Sequence, residues 1–265
     1  MQRVKRWLHR AGPSALALLV LLGGAFWLGS SALAHEAEHE APGVMHAHDM
    51  SNVWTIDRGG QLYDNWAKVL FVSLPKTTHP SYPKTGKKKG GATWRCKECH
   101  GWDYKGNKGA YGKGSHYTGI KGIRDMVGAD PERIHEIIMD DTHRYTERQM
   151  PHQAMEMLAM FVSRGQMDMD LYIDRATKKS RGDADRGAAM FQTICAVCHG
   201  FNGKKMNFKT PKNPEYIGTV ANQNPWEFMH KARMGQPGVG MISLITQSPE
   251  AIADILAYAQ SLPQK

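Results

Sequence analysis

A chain of 265 residues with 41% hydrophobic content is long enough for two domains of ordinary size and too apolar to be a disordered segment. Its formal net charge of +9 falls to +5, 30 basic groups against 25 acidic, once residues 1–34 are set aside. So small an excess excludes charge as an argument for nucleic-acid binding.

The chain opens on a basic stretch with Arg3, Lys5, Arg6 and Arg10, continues through the apolar ALALLVLLGGAFWLG, and reaches small residues at Ala32 and Ala34. That order predicts a secretory signal over 1–34. The alternative is a retained anchor: Ala11 to Ala34 is 24 residues without a charge, which at about 1.5 Å each spans a hydrocarbon core of about 30 Å. The Gly23–Gly24 interruption favours the signal. The remainder is expected in the periplasm, or facing it from the inner membrane. Residues 35–50, HEAEHEAPGVMHAHDM, form a histidine-rich leader, read as solvated chain rather than as a metal-binding tail.

Residues 51–165 are expected to form a first domain with an irregular N-terminal extension. GGQLYDNWAKVLFVSLP (59–75) is read as a helix set upstream of its domain, joined to it by the loop HPSYPKTG. The aromatics Trp54, Tyr63, Trp66 and Trp94 exceed what a minimal domain needs; they complete its core or cover a subunit contact, and the core reading is preferred. Lys84, Lys87, Lys88 and Lys89 read as a solvated loop, with steering of an acidic partner as the sharper alternative. ADPERIHEIIMDD predicts a helix entered through Pro131, and MPHQAMEMLAMFVSRG a further one. The polar stretch over 166–182 is read as a linker.

A second domain is expected over 183–265. GDADRGAAMFQTICAVCHG has apolar residues at helical spacing behind an Asp183 cap. NPWEFMHKARMG enters a helix through Pro225, and SPEAIADILAYAQSLP has Ser248 as N-cap with Pro249 at the first helical position.

The four cysteines fall in two identical patterns, CKECH at 96–100 and CAVCH at 195–199, with none left over. Disulfides do not require a histidine after each second cysteine. A zinc ribbon brings its second pair within about 15–20 residues, whereas Cys96 and Cys195 are 99 apart. A redox dithiol leaves the histidine unexplained. Covalent haem attachment explains every residue: two thiols add to the porphyrin vinyl groups, and the adjacent imidazole lies under the iron. Two covalently attached haem c groups are therefore expected, on Cys96, Cys99 and His100 and on Cys195, Cys198 and His199. Their propionates would cancel most of the residual positive charge.

With these motifs the sequence resembles the class I c-type cytochromes in a tandem di-haem arrangement, all-α, most closely over 183–265. The resemblance implies that the helix before the motif crosses the terminal helix through a small residue and an aromatic, here Gly187 and Phe191 against Tyr258, with Phe161 in Tyr258's place in the first half. Lys88 and Ala92 stand where Gly187 and Phe191 would be expected before Cys96, so an ordinary first helix is doubtful there.

The resemblance also implies a far-side iron ligand, commonly methionine, from the loop before the terminal helix. In GQPGVGMIS that is Met241, eight residues before Pro249, with Met234 as runner-up. In the first half, setting Pro151 against Pro249 puts Met150 at the cap and His143 eight residues back, so His143 is expected as ligand, with Met150 and, more remotely, His116 as alternatives. The resulting bis-histidine first haem and histidine–methionine second haem imply an electron carrier serving redox partner proteins, with no catalytic residue. Two readings compete: a di-haem oxidoreductase acting on a small inorganic substrate at an iron that opens, and a fixed subunit of a membrane respiratory complex.

Overall fold

In the computed structural model, which describes residues 47–265, the helical pattern at 59–75 belongs to a longer helix, α1 (Ala47–Leu70), broken at Asn65. Asn65 Oδ1 accepts the Lys68 N–H at 3.3 Å and so caps the final turn. The signal or anchor expected at 1–34, and the leader expected at 35–50 apart from the start of α1, lie outside the described residues.

Further helices follow: α2 (Cys96–His100), α3 (Pro131–Met139), α4 (His152–Met160), α5 (Ala184–Met190), α6 (Ala196–His199), α7 (Ile217–Gln223), α8 (Pro225–Met234) and α9 (Pro249–Ala259). The described residues contain no strand, only isolated bridges such as Gly106–Lys121, so the fold is helical as expected. No helix among them is long and apolar enough to cross a membrane. The entry signals act through ordinary capping: Asp183 accepts the N–H groups of Asp185 and Arg186, Asp130 that of Glu132, and Ser248 that of Ala251.

Two crossings organise the unit. At Gly187 of α5 a Cβ would stand 1.9 Å from the Asp254 carbonyl oxygen of α9, and four residues on Phe191 packs on Tyr258 with ring centroids 5.4 Å apart. At Gly59 of α1 a Cβ would stand 2.0 Å from the Met157 carbonyl oxygen of α4, and four residues on Tyr63 packs on Phe161, again at 5.4 Å. The upstream helix thus fills the place left open before Cys96. Gly60 faces the other way, where a Cβ would meet Met234 of α8 at 2.6 Å. Consecutive glycines inside a helix cost about 1 kcal/mol each; here they let α1 approach α4 on one side and α8 on the other.

The register of α4 differs from the sequence reading. Pro151 is not the first helical residue but the N-cap, with φ −54° and ψ 150°, as Ser248 is for α9 with φ −65° and ψ 152°. Proline fixes φ alone, and a φ near −60° suits an extended cap as well as a first turn, so the pattern slips by one.

Tyr63, Trp66 and Trp94 are core residues, as preferred, whereas Trp54 is 56% exposed. The segment 166–182 is packed rather than loose: Met167, Met169 and Ile173 are buried, while Asp168 and Asp170 between them pair with Lys105. Contacts between the two halves are polar as well as apolar. Asp64 of α1, fully buried, pairs with Arg95 and with Lys231 of α8, and the Tyr104 hydroxyl lies 2.8 Å from His230 Nδ1.

Candidate functional site

The two CxxCH motifs fold alike. Each forms a single helical turn, in which residues three and four apart share a face, so that two thiols and one imidazole emerge together. Each turn stops at a glycine in the left-handed region, Gly101 (φ +81°) and Gly200 (φ +79°), which any side chain would strain. In each the histidine carbonyl accepts an N–H from six residues on, Gly106 to His100 and Lys205 to His199, both at 2.9 Å.

All four cysteines are unpaired. Burial pushes the thiols of Cys96 and Cys99 up to about 12 and that of Cys195 to about 11. A redox dithiol needs the opposite shift. Burial likewise holds His100 down at about 4, and lowers His199, so both imidazoles are neutral and keep the lone pair that a metal requires.

The structure brings His100 and His143 together, with ring centroids 6.1 Å apart and planes 30° from parallel. Two imidazoles bound to one metal from opposite sides, at about 2 Å per metal–nitrogen bond, need a separation of about 6 Å, so the pair fits a single iron between them. The other nitrogen of each ring is already engaged: His100 Nδ1 with the Lys121 carbonyl at 2.8 Å, and His143 Nδ1 with Asp140 Oδ1 at 3.0 Å. Such bonds fix the tautomer and leave the lone pair of each ring on Nε2. Against the opposing cost of partial burial, the bonds donated by His143 and Thr142 hold the Asp140 carboxyl below the usual range.

The alternatives are placed differently. Met150 is completely buried in the core, and Met155 and Met157 with it. His116 is taken up by Glu98, at 3.2 Å, and by stacking on Tyr111. Glu98 and Lys97, the two residues inside the first motif, form a buried ion pair, with Lys97 over the Trp102 ring. Although burial opposes it, the bond from His116 and the Lys97 charge bring the Glu98 carboxyl down to about 2.

The loop HPSYPKTG (79–86), expected only to connect the upstream helix to its domain, plays a part that the sequence does not lead one to anticipate. His79 Nδ1 accepts the Ser81 N–H, so Nε2 carries the proton and donates to the His143 carbonyl at 2.7 Å. Ser81 donates its hydroxyl to the neighbouring Thr142 carbonyl at 2.5 Å. The segment therefore latches the loop that carries His143. The one signal for this is His79 itself, beside a proline in an otherwise polar loop.

The second motif is arranged more openly. His199 is buried, its Nδ1 without a hydrogen-bond partner and its ring against Phe208. Met241 is half-buried in the loop between α8 and α9. Met234, the runner-up, is fully buried against Gly60. Val197, inside the motif, is 68% exposed where the first motif has the buried Glu98, and Phe201, just after it, is 75% exposed where the first half has the buried Trp102.

Residues 182–258, which include the second motif and Met241, match the family model described as cytochrome c oxidase, cbb3-type, subunit III. The chain is also similar to the cytochrome c-553-like protein of Synechocystis sp. (strain ATCC 27184 / PCC 6803 / Kazusa), at 30% identity over 96 residues, a match that spans 36% of this chain and 84% of that protein.

Proposed function

Because the chain belongs to the c-type cytochromes, we propose that it is an exported di-haem electron carrier, with one haem c in each half. A c-type cytochrome holds its haem covalently, and the haem supplies one-electron chemistry at its iron. In this reading Cys96 and Cys99 bind the first haem, between His100 and His143; Cys195 and Cys198 bind the second, between His199 and Met241. The chain's own work is to hold the rings, exclude water from them and keep both irons closed.

The observation that carries this reading is the facing pair His100 and His143. An iron closed on both sides passes an electron without bonding a substrate, which sets the carrier above the oxidoreductase. A thioether ligand favours reduced iron and a second imidazole leaves the potential lower, so electrons are expected to run from the first haem to the second. Export rests on the pattern of residues 1–34 alone.

Redox partners follow from the family. A fixed place in a respiratory complex is the second reading, supported by the match to the oxidase subunit model and by Val197 and Phe201, which expose apolar surface beside the second motif. The test of the proposal is the intact mass of the matured chain with cyanide added to the native protein. Two haems per polypeptide and no cyanide complex support it. A single haem, or prompt cyanide binding, contradicts it.

A further inference from the structure

Asp140 stands at the C-cap of α3, where a carboxylate is the wrong charge for the negative end of the helix dipole. Helix stability does not explain it. Its Oδ1 gathers three donors instead: the Thr142 N–H at 2.9 Å, the His143 N–H at 2.8 Å and the His143 ring Nδ1 at 3.0 Å. Two of the three belong to His143, so one oxygen fixes both the backbone and the ring of that residue. The ring opposite is held differently, since His100 Nδ1 meets only the neutral Lys121 carbonyl.

We infer that Asp140 is a positioning residue for the first haem: it orients His143, and its fixed charge would make that imidazole the more basic of the two proposed to hold the iron, which would lower the potential of this haem alone. The inference rests on the proposed ligation by His143. Its physical ground is that a carboxylate accepting the outer N–H of a metal-bound imidazole strengthens the imidazole as a donor, and stronger donation favours oxidised iron. The unequal outer partners of His100 and His143 also add to the potential difference expected between the two haems.

The test uses the full-length matured protein, with potentials read by redox titration and ligation by EPR of the oxidised form. Asp140→Asn keeps an oxygen acceptor and removes the charge; the lower-potential wave is expected to move upward while the upper one stays in place and the bis-imidazole signal persists. Asp140→Ala removes the acceptor as well, and cyanide binding at one haem is expected to accelerate at least tenfold. Asp141→Asn, which removes a neighbouring charge that makes none of these bonds, is the control and is expected to shift the lower wave less. An unmoved lower wave in Asp140→Asn overturns the role of Asp140, as do equal shifts in the two asparagine variants. A wild-type spectrum without a bis-imidazole signal overturns the ligation by His143, and this inference with it.

Discussion

His79 Nε2 donates to the carbonyl of His143 at 2.7 Å, from a segment that the second half of the chain lacks. The bond holds the carbonyl of His143, whose N–H and ring are held by Asp140. Burial keeps His79 neutral by lowering its pKa, so Nδ1 stays the acceptor of the Ser81 N–H while Nε2 donates to His143. His79→Ala leaves the carbonyl without this partner and opens a gap beside Trp94, whose ring lies 4.4 Å from that of His79. A loss of about 1–3 kcal/mol is expected in denaturant unfolding, together with faster cyanide binding at one haem only.

The crossings at Gly59 and Gly187 leave no room for a methyl group, since each Cβ would fall within 2.0 Å of a carbonyl oxygen. Gly187→Ala and Gly59→Ala should each destabilise by about 3 kcal/mol or more, because backbone rather than a flexible side chain must yield. Thermal unfolding of the matured protein checks this, and an unchanged midpoint would show that the helices can part at no cost.

Asp64 neutralises Arg95 and Lys231 at the junction of the two halves. The carboxyl is expected to stay ionised: burial works against it, but the Lys231 and Arg95 charges outweigh burial and lower its pKa. Asp64→Ala strands two partly buried cations, and a loss of about 3–5 kcal/mol is expected. Replacing Lys231 as well, with methionine, should recover part of it; no recovery would mean that the triad is not coupled.

Stability should fall in mild acid through His230, which is fully buried between Tyr104 and the Gly60 carbonyl and held by burial at about 4. The folded value lies below the unfolded value of about 6.5, so the unfolded chain binds the extra proton between them. The contribution is complete above the unfolded value and is lost as pH falls toward 4, by an amount on the order of 3 kcal/mol. His230→Gln should flatten the dependence of the unfolding free energy on pH within that window; an unaltered slope would remove His230 as its cause.

Much of this arrangement is legible in the chain itself. The cysteine–histidine spacing and most of the proline-led helices are local patterns, and the crossing of Gly187, Phe191 and Tyr258 is what the resemblance to the class I c-type cytochromes implies. The upstream helix is legible too, in GGQLYDNWAKVLFVSLP, although it begins earlier, at Ala47, and ends at Leu70. Other features depend on partners far away in sequence. Lys97 and Glu98, inside the first motif, are buried against His116 and Trp102, which no local pattern indicates. In QMDMDLYI the methionines face inward and the aspartates meet Lys105, an alternation too short to separate from a polar linker. The latch from His79 to His143 spans 64 residues, and His79 beside its proline is the one local sign of it.

Low-temperature EPR of the oxidised, matured protein tests the central proposal most directly, because it reports both iron environments at once. Two low-spin ferric signals in equal amount, one from paired imidazoles and one from imidazole with thioether, are the expected result. A high-spin signal in the native protein, or a single type of low-spin centre, would contradict a carrier closed by His143 at one iron and by Met241 at the other.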